Sequence, residues 1–133
     1  MKGIYIIVLE CLNDIKIKVG SLGEIEFKKG YYFYIGSALN NLEKRIERHL
    51  RKDKKIHWHI DYLTTNNNFR IIKIYYKETN KREECEIAKY FEKYFNYIKN
   101  FGNSDCNDNS HLFYSKDLNE IREFINKLNF YPM

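Results

Sequence analysis

Residues 34–50 read YIGSALNNLEKRIERHL, and within this stretch a strand pattern gives way to a helix pattern. The aromatic run that ends at Ile35 is typical of a β-strand. After Gly36 and Ser37 the apolar side chains recur at helical spacing, at positions Leu39, Leu42, Ile46 and Leu50. The stretch therefore predicts a strand followed directly by an amphipathic helix over residues 39–52.

The chain before this stretch has the patterns of two more strands. Residues 3–9, GIYIIVL, form an apolar run without alternation, which predicts a strand buried on both faces. Residues 15–19 alternate apolar side chains with lysines, which predicts a half-buried strand. Turn residues separate these segments, so the first quarter of the chain predicts an antiparallel meander.

The rest of the chain mixes helix and strand patterns. Residues 69–76 and 111–114 predict strands, and residues 83–98 have an apolar stripe at helical spacing. Residues 118–128 predict a last helix, with Asp117 or Ser115 as its N-cap. Residues 57–63, HWHIDYL, fit no single pattern. We expect an α+β fold in one domain over residues 1–133, with a small antiparallel sheet flanked by about three helices.

The composition favours a folded basic protein. The chain has 133 residues, 44% of them apolar, and its net charge of +5 with a pI near 9.0 favours an anionic partner. Three irregularly spaced cysteines, Cys11, Cys85 and Cys106, predict reduced thiols rather than a disulfide framework. Neither a signal peptide nor an apolar run long enough for a bilayer is visible, so we expect a cytoplasmic protein without membrane contact.

The excess of positive charge lies in and just after the predicted helix. Seven cations oppose two acids between residues 44 and 55: Lys44, Arg45, Arg48, Arg51, Lys52, Lys54 and Lys55. A concentrated basic stretch is the pattern expected of a surface that follows a phosphate backbone. Arg45 and His49 are four residues apart, so they share one flank of the helix.

Three acids near the start of the second helix are candidates for a metal ligand. Helix geometry turns Glu86 away from the apolar stripe, whereas Glu84 and Glu83 lie near its two edges. A carboxylate at a buried edge must be paired, hydrogen-bonded or metal-bound, because an isolated buried charge is costly. Spacing by itself leaves Glu83 and Glu84 both open.

The chain resembles the GIY-YIG nuclease superfamily. It reads GIY at residues 3–5 and YIG at residues 34–36, and the helix that follows contains KRIERH. The resemblance implies that Tyr5 is the general base or orients the attacking water, and that Tyr34 lies in the same pocket. It also implies an essential arginine, which Arg45 matches better than its neighbour Lys44, followed by His49.

The same resemblance implies a glutamate that binds one divalent metal, Mg²⁺ or Mn²⁺. In a particular uncharacterised archaeal and bacterial branch of the superfamily a Glu-Cys pair occurs, which here is Glu84-Cys85 and selects Glu84. The strings that resemble this branch are GSALNNLEKRIERHL, HWHIDYL and FGNSDCNDNSHLFY. The resemblance covers residues 3–114.

Several further polar residues are expected near the site: Gly36, Ser37, His57, His59, Asp61, Ser104, Asp105, Ser110 and His111. A zinc site formed by His57, His59, Cys106 and His111 is the less favoured alternative, because its spacing matches no common zinc module.

The sequence thus predicts a metal-dependent endonuclease that acts on nucleic acid, with DNA the expected substrate and repair or structure-specific cleavage the expected context. The main alternative is an inactive nucleic-acid-binding module of the same fold, and a third is a small structural or adaptor protein. No added DNA-binding domain is visible, so a protein partner could supply specificity.

Overall fold

The structure is a computed structural model, and it describes residues 1–103 and 106–133. Eight strands occur in the described part: β1 (Gly3–Cys11), β2 (Ile15–Lys18), β3 (Glu24–Phe27), β4 (Gly30–Ala38), β5 (Phe69–Glu78), β6 (Asn96–Tyr97), β7 (Leu112–Ser115) and β8 (Tyr131–Pro132). The four α-helices described are α1 (Leu42–Leu50), α2 (Asp61–Thr64), α3 (Glu84–Glu92) and α4 (Leu118–Asn126).

Six strands form one antiparallel sheet in the order β6-β7-β4-β1-β5-β8. The α+β fold class is therefore confirmed. The predicted meander is wrong in its pairing, because β1 pairs with β4 and β5 while β2 and β3 form a separate hairpin. Strand β3 was not predicted, since EIEF is short and half polar.

Strand β1 lies at the centre of the sheet and is buried on both faces, as its unbroken apolar run predicts. Tyr5, Ile7 and Leu9 pack on one face with Leu42 of α1 and Leu63 of α2. The alternate residues of β1 pack on the other face, against Phe91 of α3 and Ile121 of α4. A strand with two covered faces needs apolar side chains at every position.

The helices differ from their predicted bounds. Helix α1 begins at Leu42 because the side chain of Asn41 caps it by accepting a hydrogen bond from the backbone N–H of Lys44. Helix α3 ends at Glu92, six residues early, because Asn96–Tyr97 pairs with β7 as an edge strand. For α4, the structure selects Asp117 as the N-cap.

Candidate active site

A cavity of about 270 Å³ opens where β1, β4, α1 and α3 meet. Its lining residues are Tyr5, Tyr34, Gly36, Ser37, Arg45, His57, Trp58, His59, Arg82, Glu84, Gly102, Cys106 and His111. Both tyrosines of the two triplets, the arginine of the basic helix and the selected glutamate are therefore brought to one place from four separate elements.

Tyr5 and His49 form a buried pair at this cavity. The Tyr5 hydroxyl lies 2.8 Å from Nε2 of His49, and both side chains are almost fully buried. Gly36 makes room for the tyrosine, because a Cβ at that position would lie 2.5 Å from the Tyr5 hydroxyl oxygen. The glycine of the second triplet is thus required by the tyrosine of the first.

Both tyrosines are protonated at neutral pH. Burial raises the pKa of Tyr5 to about 12, although the nearby charge of Arg45 opposes the rise. Burial also raises the pKa of Tyr34. A phenol in this state is a hydrogen-bonding group, and it becomes a base only where more positive charge approaches it.

His49 is neutral over the whole physiological range. Burial, followed by the charge of Lys54, lowers its pKa to about 3. Among the described residues no group hydrogen-bonds its buried Nδ1. The histidine is therefore a fixed neutral partner of Tyr5.

We expect acid to destabilise the fold through His49. The unfolded chain binds a proton there below about pH 6.5, whereas the folded chain stays neutral to about pH 3, so protonation favours the unfolded state. The free energy of unfolding should therefore fall as pH falls from about 6.5 towards 3, with a slope of at most about 1.4 kcal/mol per pH unit.

Urea unfolding between about pH 7 and pH 4.5 measures this slope, since a paired carboxylate such as Asp61 stays charged in that window. His49→Gln should flatten the curve relative to wild type, whereas His57→Gln, at an exposed position, should leave it unchanged. Equal slopes in wild type and His49→Gln would contradict the expectation.

Arg45 is held in place on the cavity wall. Its Nη1 donates to the backbone carbonyl of Ser37 at 3.1 Å, and its guanidinium carbon lies 4.6 Å from the centre of the Trp58 ring. A stacked and anchored guanidinium can present its other N–H groups to an anion. The neighbouring Lys44 is exposed and does not line the cavity, so the fold places Arg45 there.

Glu84 is the acid that the fold places at the cavity. It is the first residue of α3 and is 3% exposed. Its Oε1 lies 3.0 Å from both Nε and Nη2 of Arg82 and accepts a hydrogen bond from Nε. Its Oε2 is buried and has no hydrogen-bond partner among the described residues. Glu86 is exposed, as predicted, and Glu83 does not line the cavity.

The carboxylate oxygen of Glu84 that lacks a partner in the described part of the chain is a suitable ligand for a hard divalent cation. A buried carboxylate oxygen without a partner is costly, and coordination would satisfy it. Mg²⁺ and Mn²⁺ prefer such oxygen ligands, and Mg²⁺ is commonly held by one or two carboxylates plus water. Arg82 was missed by the sequence reasoning, although its place two residues before Glu84 was a usable signal.

The profile of the family described as "Domain of unknown function DUF123" matches residues 4–130. The chain belongs to the DUF123 family. No curated protein and no solved structure matches it. The family match spans every residue of the cavity described above.

In this DUF123 domain Arg48 and Asp61 form a structural ion pair. Both oxygens of Asp61 accept from the Arg48 guanidinium, at 3.0 and 2.9 Å, and Asp61 Oδ2 also accepts from the backbone N–H groups of His57 and Trp58. Burial by itself would raise the pKa of Asp61. These hydrogen bonds, above all those from Arg48, outweigh burial and lower the pKa to about 2. Asp61 does not line the cavity, so that prediction is corrected. The assignment of Arg48 to nucleic acid stays a prediction, because Arg48 also lines an open groove with Arg51 and Lys55.

In the DUF123 domain, two of the lysines predicted to contact phosphate also hydrogen-bond backbone carbonyls. Lys54 Nζ donates to the carbonyls of Arg48 and His49 at the end of α1, at 3.0 and 2.9 Å, where a cation satisfies the last helix carbonyls. Lys52 Nζ donates to the carbonyls of Asn66 and Phe69. The exposed cations of the set are Lys44, Arg51, Lys52 and Lys55.

The remaining predicted polar residues of the DUF123 domain divide into two groups. Ser37, His57, His59 and His111 line the cavity, where Nδ1 of His59 accepts from the backbone N–H of Gly102 at 2.9 Å. Ser110 does not, because its buried hydroxyl bonds the backbone of Leu112. Ser104 and Asp105 lie outside the described residues. Trp58 and Gly102 are lining residues that the sequence reasoning did not place there.

The cysteines of the DUF123 domain correct a further prediction. Cys85 and Cys106 are joined in a disulfide across 21 residues, whereas Cys11 is free and buried. Sequence spacing could not reveal the pair, because the fold of the loop before β7 brings Cys106 to α3. Within residues 1–103 and 106–133, no helix has the length and apolar character needed to cross a membrane.

Proposed function

We propose that the protein is a divalent-metal-dependent endonuclease that hydrolyses phosphodiester bonds in nucleic acid, with DNA the expected substrate. The observation that carries this proposal is the convergence of Tyr5, Tyr34, Arg45 and Glu84 on one cavity. These are the residues to which the resemblance to GIY-YIG nucleases assigns the chemistry. Membership in that superfamily is part of the proposal.

Tyr5 and His49 would position the attacking water. If the Tyr5 hydroxyl donates to Nε2 of His49, its oxygen lone pairs are left to accept a hydrogen bond from water in the cavity. The raised pKa of Tyr5 favours this orienting role over that of a preformed phenolate base. A neutral His49 is the acceptor that such an arrangement needs.

Arg45 would stabilise the charge that develops on the phosphoryl oxygens. Its bond to the Ser37 carbonyl and its contact with Trp58 fix the guanidinium before substrate arrives, and preorganised charge lowers a barrier without reorganisation cost. Glu84 would hold the Mg²⁺ or Mn²⁺ through Oε2, and a bound ion of this kind acts as a Lewis acid towards phosphate oxygens.

The exposed cations support a nucleic-acid partner. A shallow groove of about 440 Å³ shares His57 with the cavity, and its lining includes four cations and one acid: Arg48, Arg51, Lys54, Lys55 and Asp53. A strand bound in this groove would have cations along its phosphates and one phosphate near Arg45. A protein partner could strengthen binding by this domain and supply specificity.

Binding without cleavage is the second candidate function. Its support is the ion pair between Arg82 and Glu84, which gives the carboxylate a cation already, together with the protonated state of Tyr5. In that case the cavity would hold a phosphate but would not activate water.

Cleavage assays on labelled flapped, branched and plain duplex DNA and on RNA, with Mg²⁺ or Mn²⁺, test the proposal. We expect Arg45→Ala to reduce kcat by about 10²–10³-fold, as loss of a preorganised charge-stabilising donor does. Lys44→Ala is the matched control, because it removes the adjacent exposed cation, and it should cut nearly as wild type does.

The result that would replace the nuclease proposal is wild-type protein that binds DNA with a steep salt dependence and cuts none of these substrates with either metal. Loss of activity in Lys44→Ala with retention in Arg45→Ala would show that the wrong cation had been chosen.

A further inference from the structure

A cluster of four metal-ligating side chains borders the cavity on the side of α3. It consists of Cys85 on α3 and of Cys106, Asp108 and His111 on the segment before β7. The ligand atoms of all four lie within 4.8 Å of one another. None of the four is used by the mechanism proposed above, and the cluster does not include Glu84.

Asp108 is the member that a disulfide alone does not explain. Its side chain is fully buried, and its Oδ2 lies 2.8 Å from Nε2 of His111. In the part of the chain that the structure describes, its buried Oδ1 has no hydrogen-bond partner. A buried carboxylate oxygen without a partner is costly, so its presence beside two sulfurs points to a cation.

We propose that Cys85, Cys106, Asp108 and His111 bind one Zn²⁺ when the two cysteines are reduced. Two thiolates, an imidazole and a carboxylate are the ligand types that zinc prefers, and thiolates exclude Mg²⁺ as the resident ion. Zinc also takes four ligands in a tetrahedron. The site is distinct from the one at Glu84 and does not depend on nuclease activity.

The geometry requires only small side-chain movements. In a tetrahedral site with bonds of 2.0–2.3 Å the ligand atoms are roughly 3.3–3.8 Å apart. The most distant of the four atoms must therefore approach by about 1 Å from their present limit of 4.8 Å. The two sulfurs, once reduced, and the His111–Asp108 pair, now at 2.8 Å, must move apart. The Cα atoms of Cys85 and Cys106 are 5.7 Å apart, so the backbone already brings both sulfurs to one place.

The disulfide and the zinc site are alternative states of the same cysteines. A thiol reductant supplies two electrons and two protons, which break the S–S bond and give two thiols. Zinc then displaces the two protons as two Zn–S bonds form. Both cysteines are partly exposed, so a reductant and the metal can reach them.

Either crosslink would tie the segment before β7 to the start of α3. Cys85 is adjacent to Glu84, and Cys106 and His111 line the cavity wall. Zinc is therefore expected to raise the unfolding temperature of the reduced protein and to fix that wall.

The zinc set considered from sequence, His57, His59, Cys106 and His111, is not the set that the fold assembles. Nδ1 of His59 already accepts a hydrogen bond from the backbone N–H of Gly102. In the cluster that the fold forms, Cys85 and Asp108 stand in place of the two histidines His57 and His59.

Metal analysis of the full chain, purified with a phosphine reductant and zinc and then freed of unbound metal, tests the proposal. We expect one zinc ion per reduced chain and none in the oxidised protein. Cobalt(II) substituted for zinc should give a thiolate-to-metal charge-transfer band and the visible bands of a tetrahedral ion.

Variants assign the ligands. Cys106→Ser should lose the charge-transfer intensity of one sulfur, and Asp108→Asn should shift the visible bands and weaken zinc binding. Cys11→Ala and Glu86→Gln are controls outside the cluster and should keep the wild-type cobalt spectrum. The wild-type spectrum decides the matter even where a variant does not fold. Reduced wild type that retains no zinc, or whose cobalt spectrum lacks a sulfur band, would overturn the site.

Discussion

Replacing Glu84 with glutamine is expected to reduce metal-dependent cleavage by about 10³-fold, or about 4 kcal/mol of transition-state stabilisation. Glutamine has almost the same shape as glutamate, but it carries no charge and cannot replace the carboxylate as a ligand of Mg²⁺. The loss of activity should come mainly from Oε2, the oxygen that has no hydrogen-bond partner among the residues the structure describes and would bind the metal. Single-turnover cleavage over a range of Mg²⁺ and Mn²⁺ concentrations measures the effect.

The metal dependence distinguishes a ligand from a structural acid. In Glu84→Gln the concentration of Mg²⁺ needed for half-maximal rate should rise, while binding of substrate without metal should change little. Glu86→Gln is the matched control, because Glu86 is an exposed acid two residues further along the same helix. Equal rates and equal Mg²⁺ dependence in wild type and Glu84→Gln would exclude Glu84 as the ligand.

Replacing Asp61 with asparagine is expected to lower the free energy of unfolding by about 3–5 kcal/mol, the usual effect of removing one partner of a buried ion pair. Asp61 is fully buried, and its two oxygens hold Arg48 and two backbone N–H groups, with Lys54 Nζ 3.8 Å away. The variant leaves two cations without their counter-charge and turns an amide N–H₂ towards donors.

Urea denaturation at neutral pH, with unchanged slope, measures this loss. Glu10→Gln is the control: it removes the partner of Arg70, whose side chain is 65% exposed, and should cost less than about 1 kcal/mol. An Asp61→Asn midpoint equal to that of the control would contradict the structural role given to the pair.

The pH dependence of the same pair has a defined direction. The folded pKa of Asp61, about 2, lies below that of an unfolded aspartate near 3.9, so the unfolded state binds more protons between these values. The stability that Asp61 supplies is complete above about pH 4 and is lost as pH falls towards 2. Asp61→Asn should lack this component of acid unfolding.

Local patterns were sufficient for much of the fold and part of the site. The unbroken run at residues 3–9 predicted a strand with two covered faces, because each side chain of a central strand must be apolar. Helical spacing placed Arg45 and His49 on one flank and turned Glu86 to solvent, since both follow from 3.6 residues per turn. The end of α3 could not be predicted, because pairing with β7 competes there with helix propensity.

The roles of the cations show where such reasoning stops. The seven cations of residues 44–55 cannot be told apart by charge in the sequence. In the structure Arg45 lines the cavity, Arg48 pairs with Asp61, and Lys54 hydrogen-bonds the last carbonyls of α1. Which acceptor each cation meets depends on segments that are distant in sequence, and charge acts through space rather than along the chain.

The sequence by itself determined the α+β class, the central strand and the basic helix, and it supplied the candidate site residues, because these depend on local periodicity and residue type. The tertiary structure alone decided that Tyr5 meets His49, that Glu84 rather than Glu83 reaches the cavity, and that Cys85 meets Cys106, Asp108 and His111. The reason is physical. Contacts between distant segments are set by the packing of both sheet faces, which no local pattern specifies.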